Sequence, residues 1–229
     1  MILAIMQPYL FAYIGYWKLI KAVDTFVIYD DVNFIKQGYI NRNNIYANDK
    51  KQLFTLELIG ASSNAFINEI KVGRNIKKIK RTIENAYLKA PYFSTAYPII
   101  ESILGQHEEN LAKFIGYSLL KISEYLQIDT KFIYSSDIKK NNGLRAQDKV
   151  IDICMRLNAD KYINSIGGKE LYDKEIFKNK DIELNFLKSA LHEYKQFENE
   201  FIPYLSIIDV MMFNSKDDIK TMLDEYELL

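Results

Sequence analysis

The turn that follows the first apolar run of the chain is rich in groups that can hydrogen-bond a ligand. Residues 2–6 form the apolar run, and a Gln-Pro pair ends it. The turn carries one primary amide and three phenols, on Gln7, Tyr9, Tyr13 and Tyr16. Such groups can polarise a carbonyl or bind a phosphate, and Gly15 allows a ligand to approach closely. Aromatic packing with a solvated hydroxyl is the alternative role of each tyrosine.

The spacing Tyr13-Ile14-Gly15-Tyr16 lies between a predicted strand and a predicted helix. It is similar to the His-x-Gly-His turn of nucleotidylyltransferases and class I tRNA synthetases, with both histidines replaced. In that turn the histidines help to stabilise charge on phosphates, whereas a neutral phenol supplies only a hydrogen bond. The similarity therefore indicates a related fold more than it indicates ATP chemistry.

Asp30 and Asp31 follow the second apolar segment, residues 25–29. Successive side chains of a strand point to opposite faces, so at most one of the two should enter a site. An aspartate there could accept a proton from an amine, bind a sugar hydroxyl or hold a magnesium water shell. Capping of a turn is the alternative role.

Lys36, Asn41, Arg42 and Asn43 follow in the same polar loop. A guanidinium fork flanked by two amides suits a phosphate or a carboxylate. The same residue types are also common in loops that bind nothing, so this cluster has both interpretations.

Two later turns could also contribute to a site. One contains Ser135 and Ser136 at the end of a predicted strand, and the other contains Gly167 and Gly168. The free backbone amides of the glycine turn could cradle an anion at a helix start, although the Walker spacing is missing. Ordinary turn glycines are the competing interpretation.

The chain has two histidines and one cysteine, which excludes a histidine-rich zinc site and leaves no predicted metal centre. His192 is the better candidate for a general base, although its spacing identifies no partner. His107 precedes a polar helix start and is predicted to lie at the surface.

Apolar, β-branched runs alternate with segments of helical periodicity along the chain. Residues 2–29 indicate a strand–helix–strand unit, and strands are predicted at 130–134, 161–164 and 182–187. A polar turn at residues 48–51 predicts a hairpin between 41–47 and 52–58. We expect an α/β fold: a mainly parallel sheet with flanking helices and an antiparallel hairpin insertion, in one domain over residues 1–229.

Ligands of such sheets bind beyond the carboxyl ends of the strands. This rule selects four loops, at residues 7–16, 30–43, 135–143 and 165–168. These loops contain most of the candidate residues above, so the sequence predicts that they meet at one edge of the sheet.

Thirty lysines and arginines balance thirty aspartates and glutamates, so no whole-molecule field attracts nucleic acid or lipid. A local basic patch is nevertheless present, at Lys71, Arg74, Lys77, Lys78, Lys80 and Arg81. It could contact RNA or lipid, or it could be a solvated helix face. The apolar runs are too short to cross a bilayer, and the N-terminus lacks a basic lead, so we expect no membrane insertion and a cytoplasmic location.

Several motifs, in order and over nearly the full chain, resemble the WbqC-like family. They are residues 6–16, residues 24–32, Lys36 with residues 41–43, residues 162–164 with Gly167-Gly168 and Leu171-Tyr172, and Tyr194-Lys195-Gln196 with residues 203–209. Ala12 departs from the family pattern, which usually has a second proline, and this difference concerns loop stiffness.

The resemblance implies a role in O-antigen or other surface-polysaccharide biosynthesis, with glycyl transfer to the amino group of a nucleotide-linked sugar. Under this hypothesis Asp30, Asp31 or His192 would be the base. Gln7, Tyr9 and Tyr13 would polarise the carbonyl, and Lys36 and Arg42 would hold phosphate, with Gln196 among the substrate-binding positions.

The activated amino acid could be an adenylate formed from ATP, an aminoacyl-tRNA held by the basic helix, or a carrier thioester. A noncatalytic sugar-nucleotide-binding or scaffold protein of the same pathway is the first alternative. Nucleotidylyl or glycosyl transfer is the second. Exposed aromatic residues would also permit a homodimer.

Overall fold

The computed structural model describes residues 1–198 and 200–229. Its strands are β1 (Ile2–Met6), β2 (Thr25–Ile28), β3 (Arg42–Ala47), β4 (Lys50–Thr55), β5 (Leu58–Ile59), β6 (Lys71–Val72), β7 (Lys131–Tyr134), β8 (Lys161–Ser165), β9 (Glu183–Ser189) and β10 (Tyr226–Leu228). Its α-helices are α1 (Ile14–Lys21), α2 (Ile76–Tyr87), α3 (Phe93–Gly105), α4 (Leu111–Leu126), α5 (Ala146–Arg156), α6 (Lys174–Lys178), α7 (Ile207–Phe213) and α8 (Lys216–Leu223).

The central sheet has the strand order β10-β9-β8-β1-β2-β7. β1 pairs in parallel with β2 on one side and with β8 on the other, and β7 and β9 extend the parallel sheet. Only β10 runs antiparallel, against β9 at the edge of this sheet. A strand between two parallel neighbours is covered on both faces, which explains why β1 is continuously apolar.

Helices cover both faces of the sheet. Leu3 and Ile5 of β1 pack into a core with Ile153 of α5 and Phe177 of α6. The intervening Ala4 points to the opposite, larger core, which includes residues of α1, α3 and α4. This alternation follows from the two-residue period of a strand. The structure confirms the predicted α/β class with a mainly parallel sheet.

The predicted hairpin is present as β3 and β4, joined by Asn48 and Asp49. Both turn residues have positive φ, at 52° and 59°, a geometry that favours Asn and Asp and matches strand twist. Lys50 and Lys51, predicted as part of the turn, belong to β4. β5 and β6 form a separate two-stranded ribbon rather than an extension of this hairpin.

No helix within residues 1–198 and 200–229 combines the length and the apolar character needed to cross a membrane.

Candidate functional site

The direction of chain winding reverses beside β1. The chain passes from β1 through α1 to β2 and later to β7, and it returns on the other side of β1 at β8. A cleft of about 490 Å³ opens beyond the carboxyl ends of β1 and β8. This is the point at which parallel α/β sheets bind ligands. We call it the switch-point cleft; its walls include Gln7, Tyr9, Tyr13, Tyr29, Gly167 and Tyr172.

Tyr13 lies at the N-cap position of α1, where its side chain makes no capping hydrogen bond, and its backbone forms an isolated β-bridge with Ser206. Its ring folds back over the first helical turn. A Cβ on Gly15 would come within 2.4 Å of the Tyr13 ring, so the ring can take this position only because residue 15 is glycine. The predicted Tyr-x-Gly-Tyr motif therefore has a packing explanation.

Tyr9 and Tyr16 stack with ring centroids 5.5 Å apart. The Tyr16 hydroxyl donates to the Gln7 carbonyl at 2.8 Å and is buried, so this phenol holds the turn together from inside. Burial raises the pKa values of Tyr9 and Tyr13, and that of Tyr16 well above the usual value. The phenols that face the cleft are therefore neutral hydrogen-bond donors at neutral pH.

The turn is held in a constrained conformation at Phe11, which has a φ of 47° and is fully buried. The Phe11 carbonyl accepts hydrogen bonds from Asn43 Nδ2 and Ser206 Oγ, each at 2.7 Å. A non-glycine residue at positive φ persists where its surroundings fix it. Asn43, a predicted ligand-binding residue, thus uses its amide nitrogen to fix the turn, and its Oδ1 accepts from the Asn44 backbone.

Asp30 is buried away from the lining of the cleft. Ser136 donates to its carboxylate twice, from the backbone N at 2.9 Å and from Oγ at 2.6 Å. Asn68 Nδ2 donates at 3.2 Å. These bonds join the end of β2 to the turn after β7, so the structure gives Asp30 and Ser136 a shared structural contact.

Asp31 contacts two lysines. Its Oδ2 lies 2.7 Å from Lys140 Nζ and 3.3 Å from Lys149 Nζ. Burial alone would raise the pKa of Asp31, but the two ammonium groups, together with a hydrogen bond from Ser135, lower it further than burial raises it. Lys140 also donates to the Ser135 carbonyl. A carboxylate with a lowered pKa is a weak proton acceptor.

This ion cluster lies directly behind the wall of the cleft. Lys149 Nζ is 5.2 Å from the ring centroid of Tyr29, which lines the cleft, so a cation backs that aromatic face.

The side chains that were predicted to bind phosphate have different surroundings in the structure. Arg42 donates to the carbonyls of Gly38, at 2.9 Å, and Gln37, so its guanidinium closes its own loop. Asn41 Nδ2 donates to the Leu56 carbonyl at 2.7 Å. Lys36 is exposed, next to Ile35 at the cleft wall, and has no ion pair within the described residues.

His192 has a partner that spacing did not reveal. Its Nδ1 lies 2.9 Å from a carboxylate oxygen of Glu225, 33 residues further along the chain. The pair is half-exposed, and His192 lines a recess of about 30 Å³ together with Tyr13 and Tyr204. A carboxylate on Nδ1 orients the ring and leaves Nε2 as the proton acceptor.

Gln196 is fully buried and is part of a hydrogen-bonded cluster in the core. Its Nε2 donates to Asp209 Oδ2 at 2.6 Å, and its Oε1 accepts from the Ile202 backbone at 2.7 Å. Tyr87 and Tyr194 also donate to the Asp209 carboxylate, each at 2.7 Å. Burial raises the pKa of Asp209 to about 6, more than these hydrogen bonds lower it.

Gly167 and Gly168 lie in the 3₁₀ helix Ile166–Leu171 at the cleft. A Cβ on Gly168 would come 3.0 Å from Asn164 Nδ2. Asn164 is fixed in turn, because its Nδ2 donates to Tyr162 Oη at 3.1 Å and its Oδ1 accepts from the Ser165 backbone. Glycine at 168 therefore avoids a tight contact with a side chain that is itself fixed by hydrogen bonds.

The first loop and the glycine turn thus meet at the cleft, whereas Asp30, Arg42, Asn43, Ser136 and Gln196 make internal hydrogen bonds. Residue type and spacing alone did not indicate a site role for Tyr29, Tyr172, Tyr39, Tyr204 or Glu225. Three of them, Tyr29, Tyr172 and Tyr204, lie inside the motifs of the family resemblance, which was the available signal. Glu225 could not be found because nothing local links it to His192.

The fold and the cleft define a doubly wound α/β protein with an open cleft at its switch point. The model of the WbqC-like protein family matches residues 7–221, and the chain belongs to that family. It is similar to "Uncharacterized protein Rv1507c" of Mycobacterium tuberculosis (strain ATCC 25618 / H37Rv), with 27% identity over 216 residues that cover 92% of each chain. No solved structure matches the chain.

Proposed function

We propose that the protein transfers an aminoacyl group, glycyl by family resemblance, to the amino group of a nucleotide-linked sugar bound in the switch-point cleft. The observation that carries the proposal is the position of Tyr13. This residue lines the switch-point cleft and also lines the recess that contains His192. Tyr13 therefore borders both the cleft with its neutral donors and the recess with the imidazole of His192.

The neutral walls suit the acceptor. Gln7, Tyr9 and Tyr13 present an amide and two phenols, and in the described chain the Gln7 amide makes no hydrogen bond of its own. Free donors of this kind can bind the acyl carbonyl oxygen more strongly as it gains charge. Aromatic walls at Tyr29 and Tyr172 can cover the flat faces of a sugar or a base.

In the proposed step the sugar amine attacks the acyl carbonyl carbon and forms the C–N bond. The bond between the carbonyl carbon and the donor oxygen or sulfur then breaks. His192 Nε2 accepts the proton that the amine loses and returns it to the leaving oxygen or sulfur, so charge and atoms balance.

His192 is the best placed of the three predicted bases. Asp30 has its carboxylate engaged by three donors from Ser136 and Asn68. Asp31 has a lowered pKa because two lysines contact it. Only His192 combines a carboxylate partner with a place in a recess that reaches Tyr13.

A noncatalytic sugar-nucleotide-binding role is the second candidate. It is favoured by the internal hydrogen bonds of Asp30 and Arg42, which remove two charged groups from the predicted machinery. The switch-point cleft would serve such a protein equally well.

The deciding experiment incubates the purified protein with amino-sugar nucleotides, and with either glycine and ATP or glycyl-tRNA as the donor. Mass spectrometry should detect a glycyl adduct on the sugar amine. Binding of the sugar nucleotide without any product would favour the noncatalytic candidate. An adenylylated or glycosylated product would refute acyl transfer.

A further inference from the structure

A second recess, of about 250 Å³, adjoins the switch-point cleft. We call it the tyrosine pocket; it is lined by Tyr9, Tyr13, Tyr39 and Tyr204, with Asn43 and Lys51. Tyr9 and Tyr13 line the cleft as well, so the two cavities share one aromatic wall. Tyr39 and Tyr204 belong to the tyrosine pocket and do not line the cleft.

The tyrosines of this pocket are unusually exposed for aromatic residues. Tyr39 is 51% exposed, Tyr204 is 63% exposed and Tyr13 is 36% exposed. Within the described part of the chain, the hydroxyls of all four tyrosines make no hydrogen bond to the protein. A cluster of exposed aromatic side chains around a cavity marks a binding surface rather than a core.

The backbone at Tyr204 is held in place although the side chain is exposed. It has a φ of 59°, and the residues that follow are anchored because Ser206 donates to the Phe11 carbonyl and to the Asn44 carbonyl. Because the backbone is anchored, only the rotamer of the tyrosine remains to be ordered when a ligand binds.

The pocket offers little polar recognition beyond phenols and one cation. The Asn43 amide is occupied by Phe11 and Asn44. Lys51 is exposed and has no ion pair among residues 1–198 and 200–229. Flat π faces, hydroxyl groups and a single ammonium group suit a heteroaromatic ring that carries one phosphate.

The size of the pocket limits its occupant. Sites for whole drug-sized ligands enclose about 300–1,000 Å³. The tyrosine pocket, at about 250 Å³, therefore has room for one nucleoside and not for a complete nucleotide-linked sugar.

We propose that the tyrosine pocket binds the adenosine of the acyl donor, while the acceptor occupies the switch-point cleft. The inference rests on the proposed acyl transfer, for which two of the three donor types carry the aminoacyl group on adenosine. These are an aminoacyl-adenylate and the terminal adenosine of an aminoacyl-tRNA. The reacting carbonyl and amine would then meet at Tyr9 and Tyr13, the shared wall.

The first test measures binding of AMP and of adenosine to the full chain by calorimetry. Tyr39→Ala and Tyr204→Ala should each weaken AMP binding about tenfold, a loss of about 1.4 kcal/mol, because each removes one aromatic face from the base. Both side chains are exposed, so thermal denaturation should show an unchanged fold.

Two further variants locate the ligand. Gln7→Ala alters only the cleft and should leave AMP binding unchanged. Lys51→Ala should weaken binding of AMP and not of adenosine, whereas Lys50→Ala, on the neighbouring exposed lysine of β4, should affect neither.

A comparison of two probes separates the donors. A non-hydrolysable glycyl-adenylate analogue and the trinucleotide CCA each present an adenosine. The probe whose affinity falls in Tyr204→Ala and Tyr39→Ala identifies the donor class.

The proposal would be overturned if AMP bound with unchanged affinity to both tyrosine variants, or if the wild-type protein bound neither AMP nor either probe at millimolar concentration. AMP binding that depends on Tyr39 and Tyr204, without any glycyl transfer, would retain the pocket and reject the proposed function instead.

Discussion

The orientation of the Tyr13 ring depends on the absence of a side chain at Gly15. Gly15 leaves the space that the Tyr13 ring occupies, and a Cβ there would lie 2.4 Å from the ring. A contact at this distance must be relieved by movement, and the Tyr13 ring can move because it is the end of a partly exposed side chain. The shared wall of the cleft and the tyrosine pocket is therefore set by one glycine.

We predict that Gly15→Ala displaces the Tyr13 ring from the shared wall, because the ring is the end of a partly exposed side chain and can move aside. The free energy of unfolding should change by less than about 1 kcal/mol, since alanine is favoured over glycine inside a helix by about that amount. Urea denaturation measures the stability, and a crystal structure of the variant shows the ring position. Gly105→Ala is the matched control, because a Cβ at Gly105 would meet only the end of the Lys80 side chain, at 3.4 Å. An unmoved Tyr13 ring in Gly15→Ala would contradict the packing explanation.

His192 is the residue at which the proposed catalysis is most directly tested. His192→Gln should lower the rate of glycyl transfer about 10²–10⁴-fold, the usual contribution of a general base. Glu225→Gln should have a smaller effect, because the glutamine oxygen can still accept from Nδ1 and only the negative charge is lost. Initial rates by mass spectrometry measure both, and His107→Gln serves as the control; a full rate in His192→Gln would exclude this base.

Two of the connections between elements depend on carboxylates, of which Asp31 is partly buried and Asp209 is fully buried. Asp31 joins the end of β2 to Lys140 and to Lys149 of α5, and Asp209 joins the start of α7 to Tyr87 of α2 and to the segment that contains Tyr194 and Gln196. The charge states of Asp31 and Asp209 should therefore affect the free energy of unfolding more than the rate of a reaction.

Removal of the Asp31 carboxylate should leave two poorly solvated lysines without their counter-charge. We expect Asp31→Ala to lower the free energy of unfolding by about 3–5 kcal/mol, the cost of breaking a buried ion pair. Urea denaturation provides the measurement. Addition of Lys140→Met to this variant should recover part of the loss, and a double variant less stable than Asp31→Ala would argue against the mechanism.

Asp209 should make stability depend on pH. Its pKa is raised to about 6 in the folded state from 3.8, so the folded protein binds a proton more tightly than the unfolded chain. The resulting stabilisation is complete below about pH 4 and is lost as the pH rises through 6, a change of ~3 kcal/mol for the two-unit shift.

The difference in unfolding free energy between the wild type and Asp209→Asn isolates this contribution. Between pH 4 and 6 the wild type should lose stability relative to the variant, in denaturant titrations at fixed ionic strength. Parallel curves over this range would contradict the assignment.

The elements themselves were largely predictable, and the reasons are local. The apolar run of β1, the Asn-Asp turn between β3 and β4, and the capping box of Ser215 and Asp218 each specify their structure within a few residues. β10 was not predicted, because it is only three residues long and its strand conformation depends on pairing with β9.

The site was predictable only in part. The loop at Gln7 and the turn at Gly167 follow from the rule for parallel sheets, and both line the cleft. The partners of Asp30, Arg42 and His192 come from distant segments, so residue type alone suggested binding roles where the structure has internal contacts or an unforeseen pair.

At the scale of the whole molecule the net charge is zero, but the basic side chains are not evenly distributed over the surface. On and beside α2, Lys71 and Lys80 have acidic neighbours, Glu109 and Glu101. Within the described ranges no ion pair engages the remaining basic residues of this patch, which are Arg74, Lys77, Lys78 and Arg81.

If the donor is an aminoacyl-tRNA, this patch should contribute electrostatic affinity. Charge reversal by Lys77→Glu and Arg81→Glu should weaken tRNA binding, and the slope of log affinity against log salt should become shallower by about two. Filter binding at several salt concentrations measures this slope. Lys180→Glu is the control, since that lysine lies outside the patch, and an unchanged slope in the double variant would exclude α2 as an RNA contact.

The wall formed by Tyr9 and Tyr13 has a consequence for the order of events at the site. If the two substrates bind as proposed, a ligand in either cavity would restrict the rotation of the same two rings, so occupancy of one cavity would change the free energy of binding in the other. Such thermodynamic linkage is reciprocal, and each substrate would alter the affinity for its co-substrate by the same factor. Binding of the two substrates would then be cooperative within a single chain.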